Sequence, residues 1–142
     1  MSTKEKETRY CEVVRYMENA FEILKTKRQK KDRYYQDEKY VRMACGTAYN
    51  AVLLALDSYL EIKGKPIKKK KNAHVIVKDY QMALAELDTK ILDEFKTTYN
   101  ILHVEGYYHG EKNYSVIKSG MDSAIQIINK IKPQRLQAFN LN

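Results

Sequence analysis

Apolar side chains recur every three or four residues through most of this chain, and helices are what turn that rhythm into continuous buried stripes. Tyr10, Val13, Met17, Phe21 and Leu24 form the first stripe, in a segment that opens with Ser2 and Glu5 at the spacing of a capping box. Val41, Ala44, Cys45, Ala48, Val52, Leu56 and Tyr59 form the second, over residues 37–62, and Gly64 and Pro66 stop it. Gly46 flanks that face. A glycine inside a helix costs roughly 1 kcal/mol relative to alanine, so its place among small residues implies a closely approaching neighbour.

The third stripe holds Leu84, Leu87, Ile91, Phe95, Thr98 and Leu102 and is continuous to about His103. Asn72 and Asp79 are alternative caps for its start, with the β-branched stretch of residues 74–77 between them. The fourth begins after Asn113, an N-cap residue, and buries Val116, Met121, Ala124, Ile128 and Ile131 before Pro133. Five glycines and two prolines in 142 residues leave little room for other architectures. The expectation is an all-α fold: a single up-down-up-down four-helix bundle, with room for a short extra helix before the third. One domain covers residues 1–142, with its core over about 3–132 and a flexible tail over 133–142.

The longest uncharged run, residues 43–56, is too short to span a bilayer, and no membrane span is expected. Lys4, Glu5, Lys6 and Glu7 exclude the apolar core of a signal peptide. Cys11 and Cys45 fall in apolar helical patterns, where a thiol packs as a small hydrophobe. These features point to the cytoplasm. There is no Walker loop, nucleophile elbow, paired-cysteine motif or dinucleotide fingerprint, so catalysis of those types is excluded and no cofactor is expected.

Charge is concentrated in two connections. Residues 25–33 hold six basic groups and one acid, and residues 63–71 hold six basic groups and no acid. Together they exceed the net charge of +8, so the rest of the chain is net negative. Alternating helix directions put the first and third connections at one end of the bundle. Lys27, Arg28, Lys30, Lys31 and Arg33, followed by Tyr34 and Tyr35, then lie near the turn of residues 106–110. Basic groups attract phosphate and tyrosine rings stack on unpaired bases, which makes RNA or another polyanion a sensible ligand. The plainer alternative is a solvated loop complementing the negative end of the first helix. The second basic stretch, residues 68–71, has Lys130, Lys132 and Arg135 as expected neighbours and fits RNA, anionic lipid or no ligand.

Residues 99–110 gather Tyr99, His103, Tyr107, Tyr108 and His109 beside Gly106 and Gly110. This is the best candidate for a site. The glycines suit a helix C-cap, and the tyrosines suit an aromatic end to the core with wet hydroxyls. His103, next to Leu102, reads either as a half-buried histidine with a backbone partner or as an acid–base group. His103, Glu105, His109 and Glu111 lack the i, i+4 histidine pair of a helical zinc site, and a helix break at Gly106 would separate them, so no metal is expected.

Tyr99, Leu102, His103, Gly106, Tyr107, Tyr108 and Gly110, followed by Ile117, Lys118, Gly120, Ala124, Ile127 and Ile128, resemble an uncharacterised bacterial all-helical family over residues 79–131. That family implies no activity. More distantly, the second helix with Ala44, Ala48, Asn50 and Ala51 resembles HEPN domains, helical bundles that often dimerise. Active HEPN ribonucleases carry an arginine, usually a polar residue after it, and a histidine four to six positions beyond the arginine. Asn100 and His103 correspond to the last two, but Tyr99 stands where the arginine belongs. Losing that guanidinium removes a charge-stabilising donor commonly worth a factor of about 10² or more. The resemblance therefore implies a binding or scaffold version. Helix surfaces bearing exposed tyrosine and methionine often serve interfaces, so the leading reading is a non-catalytic interaction module, self-associating as a homo-oligomer. RNA binding, or a degenerate ribonuclease using His103 with Asn100, is the alternative.

Overall fold

The computed structural model describes residues 1–26 and 33–139. Among them are five α-helices and one π-helical segment, with an isolated β-bridge between Tyr34 and Asn113. Helix α1 spans Thr3–Thr26, and its start is held by the Glu5 N–H donating to Ser2 Oγ at 3.1 Å. Helix α2 spans Glu38–Ile62; Asp37 precedes it in an extended conformation and accepts from the Lys39 N–H at 2.9 Å.

The expected third helix is two helices. Helix α3 spans Val77–Leu87, and its start is fixed by Asp79, whose carboxylate accepts from the Ile76 N–H at 2.8 Å. Asp88 then leaves the helix, with φ −160° and ψ 102°, and its side chain accepts from the N–H groups of Lys90 and Ile91 at 3.0 and 3.1 Å. That cap starts α4, Thr89–Thr98. Among the described residues five α-helices therefore stand where four, with room for a short extra one, were expected, because one aspartate satisfies the first donors of a new helix within an unbroken apolar stripe.

A second correction concerns the end of that stripe. Helix α4 passes without a break into the π-helical segment Tyr99–Tyr108, so the chain neither stops at His103 nor breaks at Gly106. Gly106 serves packing instead: a Cβ there would lie 2.8 Å from Cys45 Cβ and closer still to Cys45 Sγ. A Cβ on Gly120 would lie 2.9 Å from Ile101 Cβ and Leu102 Cδ2. The segment is thus held at near-backbone distance between α2 and α5. Helix α5, Tyr114–Lys130, is capped by Asn113, which accepts from the Val116 N–H at 3.2 Å. Its buried face is Ile117, Gly120, Met121, Ala124, Ile127 and Ile128; Val116 and Ile131, expected inside, are only partly buried.

Helix α1 packs on α2, α2 on the π-helical segment, and both α4 and that segment on α5, while α3 packs on α4. An ion pair from Arg9 in α1 to Glu61 in α2, at 2.7 Å, marks these two as antiparallel. Phe95, Met17, Leu56, Leu60, Leu102 and Ile127 are among the largest fully buried side chains. Residues 133–139, expected to belong to a flexible tail, return to the helices: Asn129 bonds the backbone of Phe139, whose ring stacks on Phe21. Residues 140–142 lie outside the described residues. Among the described residues no helix is long and apolar enough to cross a membrane.

Candidate functional site

The π-helical segment carries a ladder of rings centred on His103. Tyr99 and Tyr107 lie four residues to either side of it, and their ring centroids stand 5.3 and 5.8 Å from the imidazole, both stacked. Tyr49, reaching across from α2, stacks at 4.8 Å, and Tyr108 meets the imidazole edge-on at 5.2 Å. These separations fall within the range where aromatic pairs attract beyond their buried area. His103 is half-buried, as expected, but its neighbours are rings; among the described residues no hydrogen bond to its imidazole is seen. Burial lowers its pKa from the ordinary 6.5, so the ring is neutral at pH 7. Burial, and then Tyr99, push the Tyr49 hydroxyl well above its usual range and keep it protonated.

The outer rungs face solvent. Tyr107 is 47% and Tyr108 63% exposed. Tyr107 can lie flat on α2 because Gly46 has no side chain: a Cβ there would come 3.2 Å from the Tyr107 ring. The close approach implied by Gly46 is therefore made by a side chain of this ladder. Met43, one turn earlier on α2, is also exposed.

Arg42 closes the end of the segment. Its guanidinium donates to the carbonyl oxygen of Tyr107 at 2.9 Å and also to that of Tyr108. Carbonyls at a helix end lack partners within the helix, and a cation there also complements the helix dipole. Gly110 then turns the chain with φ +65°, and a Cβ at that position would sit 3.0 Å from Arg42 Nε. Of the two expected C-cap glycines, only Gly110 is left-handed. His109 is exposed at this turn, and its N–H donates to the Val104 carbonyl at 3.0 Å.

Of the candidate basic residues, Lys27, Arg28, Lys30 and Lys31 lie outside the described residues. The end of their loop is described and runs beside the start of α5. The Tyr35 N–H donates to the Lys112 carbonyl at 2.8 Å and the Tyr114 N–H to the Arg33 carbonyl at 2.9 Å. Arg33 and Tyr34 are exposed, whereas Tyr35 is buried with its ring 5.9 Å from that of Tyr114. Tyr35 thus belongs to the core and is not available to a ligand. Asn100 is exposed, and Tyr99 is spent on the ring stack.

At the other pole, a cleft of about 580 Å³ includes Lys6, Arg9, Lys63, Lys130, Lys132 and Arg135 in its walls. It gathers the expected basic groups of the fourth amphipathic segment, but residues 68–71 are not among its walls. Arg9 and Arg135 already pair with Glu61 and Glu7. Among the described residues no group of three metal-ligating side chains comes together.

Sequence reasoning singled out His103, Tyr107 and Tyr108 as candidates and did not single out Tyr49 or Arg42, which the structure brings against them. The four-residue spacing of Tyr99, His103 and Tyr107 was a usable signal for the ladder, while nothing local marks Tyr49 or Arg42 as its partners.

No curated protein matches this sequence. A solved structure, of a protein of unknown function from Dyadobacter fermentans, is similar with 37% identity and a TM-score of 0.76, over 92% of this chain and 96% of that one. A family described as a domain of unknown function, DUF5618, matches residues 8–133, and the chain belongs to that family.

Proposed function

We propose that this protein is a non-catalytic interaction module that pairs with a second copy of itself through the aromatic ladder. The observation that carries this reading is the exposure of Tyr107 and Tyr108 on a framework fixed from behind by His103 and Tyr49 and from the end by Arg42. Exposed aromatic and methionine side chains are the residues from which interface anchors are built, and anchors already held in place lose little freedom on binding. Met43 beside them adds apolar area. The cytoplasm is the setting of this reading, in keeping with Cys11 and Cys45, which are both unpaired.

Sedimentation velocity across a concentration series tests the proposal. The parent chain is expected to dimerise, and Tyr107→Ala with Tyr108→Ala to weaken dimerisation by about tenfold or more without changing helix content. A parent chain that stays monomeric at high micromolar concentration refutes it.

A second reading, RNA or polyanion binding through the basic loop and residues 106–110, draws support from the pairing of Arg33 and Tyr35 with residues 112–114. It expects a mobility shift of a single-stranded oligonucleotide that weakens at higher salt and is lost when Lys27, Arg28, Lys30 and Lys31 are neutralised. The ribonuclease reading gains little support. His103 is neutral and enclosed by rings, and position 99 offers no cation to a phosphate.

A further inference from the structure

A groove of about 990 Å³ lies between α1 and α5, and residues 136–139 of the chain's own C-terminal segment lie against both helices and form one of its walls. Its walls include Tyr10, Val14 and Phe21 from α1 and Ile117 and Met121 from α5. The C-terminal segment is held mainly through its backbone. Asn129 accepts from the Phe139 N–H at 2.7 Å and donates to the Phe139 carbonyl at 3.1 Å, so one side-chain amide reads both polar groups of one residue. The Tyr10 hydroxyl reaches the Gln137 carbonyl at 3.4 Å. Two apolar anchors complete the fit: Leu136 packs against the core, and the Phe139 ring stacks on Phe21 at 6.1 Å. Backbone contacts that supply affinity, with side-chain pockets that supply specificity, are how extended peptides are recognised.

We infer that the groove between α1 and α5 is a receptor for an extended segment of Leu-x-x-Phe pattern, and that its partner in trans is residues 136–139 of a second copy of this chain. The occupant is argued from the contacts that the same four residues make in cis. Only residues 131–135 join α5 to the segment, so the groove and its occupant are separate elements joined by a short connection. Such a connection gives the cis segment an effective concentration on the order of millimolar, and exchange between copies becomes visible where the cis contact is weakened. This surface uses neither Tyr107 nor Tyr108, and the inference does not rest on the ladder.

The test uses the full-length chain and a fluorescent peptide of residues 133–142. Phe139→Ala removes the anchor of the cis segment, lies beyond α5 and leaves the α1 and α5 walls of the groove intact. It is expected to bind the peptide about tenfold more tightly than the parent, and adding Asn129→Ala, or Phe21→Ala as a second groove variant, to abolish the gain. In the second arm, Phe139→Ala is mixed with Asn129→Ala, so that one chain offers a groove and the other an intact tail. A one-to-one complex is expected in light scattering beyond whatever association either chain shows alone, and it is expected to persist when Tyr107→Ala and Tyr108→Ala are added to both. Peptide affinity equal to that of the parent, affinity indifferent to both groove substitutions, or a mixture no larger than its components overturns the inference.

Discussion

Replacing Gly106 by Ala sets two effects of opposite sign against each other at one atom. By intrinsic propensity the change favours the helix, because Gly costs about 0.8–1 kcal/mol more than Ala in a helix interior. By packing it is unfavourable: the added methyl would lie 2.8 Å from Cys45 Cβ, where ordinary contact begins at 3.4 Å. That neighbour is fixed to the α2 backbone and cannot rotate away, so the helices must part or the segment must shift. Overpacking of this kind typically costs about 1–3 kcal/mol. Because the methyl would crowd Cys45 Sγ more closely still, the upper part of that range applies and packing wins, with a net loss of about 1–2 kcal/mol and, for a chain of 142 residues, a fall in Tm of roughly 3–7 °C. The cause is identified by Cys45→Ala. Alone, that change empties a small buried space and costs about 1 kcal/mol. Combined with Gly106→Ala it removes Cys45 Sγ, the atom nearest the new methyl, and leaves only the Cβ contact at that residue, so the pair is expected to be less destabilising than the two costs added, by up to about 1 kcal/mol. Urea unfolding of the four chains, followed by far-ultraviolet circular dichroism, gives all the terms. Strict additivity, or a Gly106→Ala chain as stable as its parent, would refute the close approach of the π-helical segment to α2.

Asp88→Ala removes the acceptor for the Lys90 and Ile91 N–H groups and is expected to lower stability by about 1 kcal/mol in the same urea assay, with Asp88→Asn close to the parent. An Asp88→Ala chain equal to the parent would show that the cap is idle. For His103, burial lowers the folded-state pKa below 6.5, so the unfolded chain binds more protons just below that pH. Its contribution is complete above 6.5 and is lost as pH falls toward the folded value. Stability profiles between pH 5 and 8 are therefore expected to be flatter for His103→Phe than for the parent, and parallel profiles would contradict the burial of a neutral ring.

Helix positions were legible because burial repeats at the helical period: Val13, Met17 and Leu24 in α1, and Ala44, Ala48 and Leu56 in α2, are buried as their spacing required. The division at Asp88 was not, since a cap needs only one side chain and a local change of backbone angle, neither of which interrupts an apolar stripe. Gly106 misled for a related reason. A glycine can end a helix or admit a neighbour, and only the position of Cys45 decides between the two. Of the candidate site, the rungs on the π-helical segment could be read from their spacing. Tyr49 and Arg42 could not, because they arrive from α2, far earlier in the chain, Arg42 65 positions before Tyr107. Tyr35, offered as a ligand-stacking ring, is buried because the bridge beside it turns the chain inward.

The winding of Tyr99–Tyr108 makes chain length itself a constraint in this region. In an α-helix each residue adds about 100° of rotation, so deleting one residue would swing the downstream groups through an angle of that order. Tyr107 would leave the bare patch at Gly46, and the two carbonyls now served by Arg42 would point elsewhere. Substitutions on the outward side of this segment are absorbed locally, whereas an insertion or deletion would uncouple α2 from α5. Variation across the fold should therefore change the lettering of this stretch far more freely than its count.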